Sequence, residues 1–128
     1  MKKTPELLRI LVLVAATYAS TSALADTAEP TIVLVQGAFA GSGSWNGAVK
    51  VLQKDGLTTV TAAKPLRSVK GDAASVACLV KGIKGQVVLV GRSYGGQVIS
   101  EAAYGQANVK TLVYVAAFAP GIGESAVA

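Results

Sequence analysis

Gln86-Val87-Val88-Leu89-Val90-Gly91-Arg92-Ser93-Tyr94-Gly95-Gly96 is the stretch on which the fold turns. Residues 86–90 are a short continuous apolar run, the pattern of a strand buried on both faces, and the run stops at Gly91. Residues 97–104 suit a helix that closes at Gly105. Between them, Gly91-Arg92-Ser93-Tyr94-Gly95 matches G-x-S-x-G, in which a strand turns abruptly into a helix and pushes the serine into a strained, exposed position. With 14 glycines in 128 residues, composition alone yields this pattern in about one chain in ten, so the motif is weak by itself. Its context is specific, because it directly follows the most strand-like run and directly precedes a helix. The bland alternative is a glycine-rich turn with no chemistry. A phosphate-cradling loop is disfavoured, since neither G-x-x-x-x-G-K-[ST] nor a G-x-G-x-x-G after the first strand occurs.

Outward from this point, apolar runs alternate with helix-period segments, as βαβ units with a parallel sheet require. Upstream, Thr31–Val35 is a first strand stopped by Gln36-Gly37, followed by the loop Gly41-Ser42-Gly43-Ser44. Trp45, Val49 and Leu52 then fall at helical spacing before Gly56. Residues 57–62 suit a second strand, which Pro65 ends. Asp72 is a candidate cap for a helix with Val76, Leu79, Val80 and Ile83 on one face, stopped by Gly82 and Gly85. Downstream, residues 109–116 make a fourth strand ended by Pro120-Gly121. Hydrophobic residues form 52% of the chain and charged residues 15%, which excludes a disordered chain and suits a sheet covered on both faces.

Residues 1–25 read as a secretory signal, with Lys2, Lys3 and Arg9 as the basic start, residues 10–16 as the apolar core and Ala23-Leu24-Ala25 as the cleavage site. The expected mature domain is 26–128, exported to the periplasm or secreted. The apolar core is well short of the roughly 20 residues a membrane span needs, so no membrane association is expected after cleavage. Losing three cations and Glu6 lowers the formal charge from +5 to +3. Lys50, Lys54, Lys64, Arg67, Lys70, Lys81 and Lys84 are spread over several elements, which reads as a solvated surface and not as a nucleic-acid footprint. Cys78 is the only cysteine, excluding an intrachain disulfide or a cysteine-pair metal site. No metal, nucleotide or flavin cofactor is implied.

Four blocks together, Val33 through Ala40, Gly43-Ser44-Trp45, Val87 through Gly96, and Leu112 through Pro120, resemble the α/β-hydrolase family, and more narrowly its small-esterase and hydroxynitrile-lyase-like branch. The resemblance implies an α/β, three-layer, mostly parallel partial α/β-hydrolase fold with strands in the order second, first, third, fourth. It implies Ser93 as nucleophile, with the backbone N–H groups of Ala38 and Tyr94 as the oxyanion hole, donors suited to a tetrahedral oxyanion. Phe39 and Trp45 become candidates for the substrate pocket, with ordinary packing as the alternative.

The departures from the family are equally definite. Gln36 and Arg92 stand where it usually has histidine. Gln36 is expected to hydrogen-bond near the loop, and Arg92 sets a cation beside the turn. No histidine occurs anywhere in the chain, so Ser93 has no evident activator. Asp55, Asp72, Glu101 and Glu124 read as surface or capping carboxylates, and Lys110 has no evident path to Ser93. The expectation is therefore a hydrolase of small carboxylic esters or similar acyl substrates, truncated before its acid and histidine and inactive alone. The alternatives are a non-catalytic binding or interaction module on the same scaffold, and a lyase of the same branch, which these residues do not separate from an esterase. An open edge on the fourth strand is expected to promote self-association.

Overall fold

The computed structural model describes residues 28–121 and residue 124; the 1–25 signal and its cleavage site lie outside them. Four strands, β1 (Thr31–Val35), β2 (Thr59–Thr61), β3 (Val87–Arg92) and β4 (Val109–Val115), form one sheet in the order β2-β1-β3-β4, every neighbouring pair parallel. Each parallel pair needs a crossover, and the three helices supply them: α1 (Asn46–Lys54) joins β1 to β2, α2 (Val69–Gly82) joins β2 to β3, and α3 (Gly95–Ala102) joins β3 to β4. The predicted order holds. The second strand is shorter than the predicted 57–62, because Leu57 still closes the end of α1 through its amide to Leu52 O (3.0 Å).

Alternation along the strands divides the core in two. Val33, Val35, Val87 and Leu89 face α2 and α3, where Ala73, Val76, Val80, Val98, Ile99 and Ala102 cover them completely. Ile32, Leu34, Val88 and Val90 face the other way, onto Trp45, Ala48, Val49 and Leu52. That second layer is thinner: α1 buries none of its own residues fully, and Val88 and Val90 stay half-buried. The predicted central strand is thus sealed on one face only. Among the described residues β4 pairs with β3 alone and leaves Val113 and Val115 exposed at the edge.

One reading of the sequence is corrected here. Ser68, not Asp72, caps α2, its side chain accepting the Gly71 amide (3.0 Å). Asp72 lies inside the first turn and is completely buried. It sits four residues before Val76, on the same inward stripe, so the helix carries it into the interior instead of to solvent. At the other end, Asn108 Nδ2 donates to Val80 O (3.0 Å), which also accepts the Ile83 amide, and to Ile83 O (3.3 Å), just past the helix.

Candidate active site

All site elements meet at the carboxyl ends of the strands. β1 and β3 end in register, Val35 opposite Gly91, so the loop after β1 and the turn after β3 lie side by side. The turn is possible only because it is built from glycines. A Cβ on Gly91 would stand 2.5 Å from Gly95 O, one on Gly95 would collide with Val35 O, and one on Gly96 with Phe118 O. The chain reverses from strand to helix within this tight contact, and Ser93 sits at its tip, exposed, with φ +53°.

Among the described residues three non-glycine positions have positive φ: Leu66 (57°), Ser93 and Ala116 (43°). Such backbone costs about 1–3 kcal/mol per residue and persists where its surroundings over-determine it. Here each is held at the same place. The Ser93 amide donates to Ala116 O (3.2 Å) and Val115 O (3.3 Å), and the Leu66 amide donates to Asp72 Oδ1 (2.8 Å). Strain from three separate segments therefore converges on one end of the sheet.

The Ser93 hydroxyl makes no hydrogen bond among the described residues, and it faces Gly37: a Cβ there would meet Ser93 Cβ at 3.4 Å and Oγ at 3.8 Å. The backbone amides of Ala38 and Tyr94 likewise donate to no described backbone group. Ser93 thus stands against Gly37, the residue before Ala38, and Tyr94 follows Ser93 in the chain. Phe39 is fully exposed and lines a shallow depression beside this loop with Gln36, Ala38, Ser42, Lys64 and Leu66. Ser93 does not line it. Trp45 is not part of it either; it is buried against Ile32 and Leu34 in the thinner core layer.

Two further expectations are corrected. Gln36 is buried, yet its Oε1 has no hydrogen-bond partner among the described residues, so it does not tie the loop as expected. Lys64 is not a solvated surface cation. It is half-buried, donates from Nζ to Gly37 O (3.1 Å) and lies 5.2 Å over the centre of the Tyr94 ring. Tyr94 in turn donates its hydroxyl to Asp72 Oδ2 (3.0 Å). Desolvation, the hydrogen bond to Asp72 and the charge of Asp72 together push the Tyr94 phenol up to about 12. Burial draws the Lys64 ammonium below its ordinary value, and the Asp72 carboxylate opposes that shift. Asp55, Glu101 and Glu124 are exposed, as expected, and Lys110 Nζ is engaged with Ala107 O at 3.0 Å.

The arrangement is an exposed hydroxyl that faces Gly37, at the tip of a strand-to-helix turn. The described residues hold no group of three or more histidine, cysteine or carboxylate side chains placed to bind a metal, and no helix among them is long and apolar enough to cross a membrane. No protein-family model matches the chain, and no curated protein matches it. Solved structures do. A pyrethroid hydrolase from Sphingobium faniae JZ-2 is 24% identical, with a TM-score of 0.60, over 70% of this chain and 40% of that one. A variant of tomato methylketone synthase I is 19% identical, with a TM-score of 0.65, over 77% and 44%. The N-formylmaleamic acid deformylase of Pseudomonas putida S16, solved in a serine-to-alanine form, is 18% identical, with a TM-score of 0.58, over 67% and 38%. The chain thus spans about two-fifths of the length of the solved structures it matches.

Proposed function

From the α/β-hydrolase fold that the chain shares in part with these neighbours, we propose that it is the nucleophile-bearing portion of a serine hydrolase acting on small carboxylic esters or similar acyl substrates. The observation that carries this reading is Ser93 itself, held exposed at positive φ with its hydroxyl unengaged and facing the loop that contains Ala38. In the proposed reaction Ser93 Oγ bonds to the ester carbonyl carbon while its proton passes to a general base. The former carbonyl oxygen becomes an oxyanion, accepted by the N–H groups of Ala38 and Tyr94. Collapse breaks the bond to the alkoxy group, which leaves as the alcohol with that proton, and water then hydrolyses the acyl-serine.

The base is the missing part. The sequence contains no histidine, and Asp72, the one buried carboxylate at the site, is engaged with Leu66 and Tyr94. We therefore assign the base and the triad acid to polypeptide beyond these residues, in keeping with the neighbours' greater length. The neighbours, a hydrolase, a synthase and a deformylase, share the scaffold across different chemistries, so the fold alone does not select the substrate. The signal-like 1–25 segment supports a periplasmic or secreted location.

The lack of histidine favours a second reading, a binding module without turnover. A fluorophosphonate probe separates the two: Ser93 Oγ bonds to phosphorus, fluoride leaves, and added imidazole takes the proton. The hydrolase reading expects slow labelling confined to Ser93, accelerated by imidazole and absent in Ser93→Ala, with p-nitrophenyl ester turnover hardly above that of the variant. An intact-mass measurement showing no adduct, or the same adduct in Ser93→Ala, would leave only the binding module standing.

A further inference from the structure

We propose that Lys64 is a positioning residue for the oxyanion hole: by holding the carbonyl of Gly37 it turns the Gly37–Ala38 peptide so that the Ala38 N–H faces Ser93. The inference rests on the serine reading above and adds to it a residue that acts through the backbone without touching the substrate.

The argument is one of peptide geometry and sheet order. The described backbone has no cis peptide bond, and in a trans peptide the C=O and N–H of one unit point in opposite directions. β2 and β3 flank β1 on opposite sides. Lys64 follows β2, and its Nζ takes Gly37 O toward that side at 3.1 Å. The amide of the same peptide, that of Ala38, is thereby turned toward β3, at whose end Ser93 stands against Gly37. Gly37 has no side chain, and among the described residues Lys64 makes the only side-chain hydrogen bond to the backbone between Val35 and the short 3-10 turn Ser42–Trp45. An ammonium on the carbonyl also polarises the peptide, which strengthens its N–H as a donor.

Lys64 is held for this task from two sides. The Tyr94 ring lies beneath its ammonium, and the Tyr94 hydroxyl is anchored on Asp72, which also fixes the Leu66 amide two residues beyond Lys64. A solvated lysine would keep its charge in water. This one is partly desolvated against an aromatic face and a carbonyl, with a buried carboxylate nearby, an arrangement that fixes one geometry for a long side chain that otherwise samples many.

The test compares the unsubstituted chain with Lys64→Met and Lys64→Arg, isotopically labelled, in two measurements. NMR reads the Gly37 carbonyl carbon and the Ala38 amide nitrogen, both sensitive to a hydrogen bond on that peptide. Intact mass reads the rate of fluorophosphonate labelling in imidazole. Lys64→Met is expected to move both resonances and slow labelling about tenfold, part of the loss seen when an oxyanion donor is removed outright. Lys64→Arg is expected to restore most of the rate. Unmoved resonances in Lys64→Met, or equal labelling of Ser93 in all three proteins, overturns the role of Lys64 and leaves the serine reading intact. An unsubstituted chain that never labels overturns the serine reading, and the positioning role with it.

Discussion

Asp72→Ala is the substitution whose cost the structure sets most directly. Asp72 is completely buried and accepts two hydrogen bonds, from the Leu66 amide at 2.8 Å and the Tyr94 hydroxyl at 3.0 Å. Hydrogen bonds to a charged group contribute about 1.5–3 kcal/mol each, and removing the acceptor leaves both donors unpaired. Against this stands the desolvation cost that the buried carboxylate no longer carries. The partly exposed Tyr94 hydroxyl can turn to water, whereas the Leu66 amide is fixed by its backbone. The net expectation is a loss of about 3 kcal/mol, which for a domain of about 100 residues lowers Tm by about 12–24 °C. Asp72→Asn keeps an oxygen for Leu66 and offers an amide to the tyrosine, so its cost should be about 1 kcal/mol. Urea titration followed by the fluorescence of Trp45, the single tryptophan and only 8% exposed, measures both. A cost below about 0.5 kcal/mol for Asp72→Ala, or equal costs for the two substitutions, would refute the buried-acceptor account.

Three further outcomes follow from the same geometry. The Tyr94 phenol, raised from 10.0 to about 12, favours the protonated folded state, so its contribution to stability is complete below pH 10.0 and is lost as the pH rises to about 12; absorbance at 295 nm should show a tyrosine titrating near 12 that disappears in Tyr94→Phe. Gly91→Ala and Gly95→Ala push a methyl group onto backbone atoms and should each cost at least about 3 kcal/mol by urea titration, while Gly47→Ala, whose Cβ meets nothing within 4 Å in α1, should gain about 0.5 kcal/mol. The unpaired edge of β4, with Val113 (38% exposed) and Val115 (41%), and Phe118 (54%) just beyond it, should drive self-association; size-exclusion chromatography that shows a monomer across a hundredfold concentration range would contradict it.

The fold was legible because its signals are local and periodic. The apolar run before Gly91, the helix stripe of Val76, Leu79, Val80 and Ile83, and the glycine stops each depend on neighbours a few residues away; the strands and α3 reappear close to their expected limits, whereas α2 starts a full turn before the expected cap at Asp72. The place of Ser93 at a strand-to-helix turn was legible for the same reason, since strand, serine and helix are consecutive in the chain. The polar network was not. Lys64, Asp72 and Tyr94 come from three segments, and nothing in a linear pattern says that a lysine after one strand will reach the carbonyl after another. Asp72 gave one overlooked signal: it falls four residues before Val76, so the helix that buries Val76 also buries its carboxylate. A charged residue on an apolar stripe needs partners, and the search for them leads to Tyr94 and so to Ser93.

Placing that network beside the two departures from the family suggests how the site keeps its shape. Gln36 is buried at the end of β1 with its Oε1 unpartnered, so the loop carrying Ala38 is not tied from the side chain that precedes it. Arg92 is exposed at the end of β3 and its guanidinium makes no hydrogen bond among the described residues, so its side chain does not tie the loop either. The tie comes instead from the segment after β2, through Lys64 and the carbonyl of Gly37. This places the support of the loop carrying Ala38 on the segment after β2, which carries none of the proposed reacting groups, and the Lys64 ammonium over the Tyr94 ring links that loop to the residue that follows Ser93. The two amide donors are then not independent. Displacing Lys64 frees one directly, and it also removes the cation packed on the side chain of the other. Their effects on Ser93 labelling should therefore be non-additive when Lys64→Met is combined with Tyr94→Phe, as expected for residues that share one network.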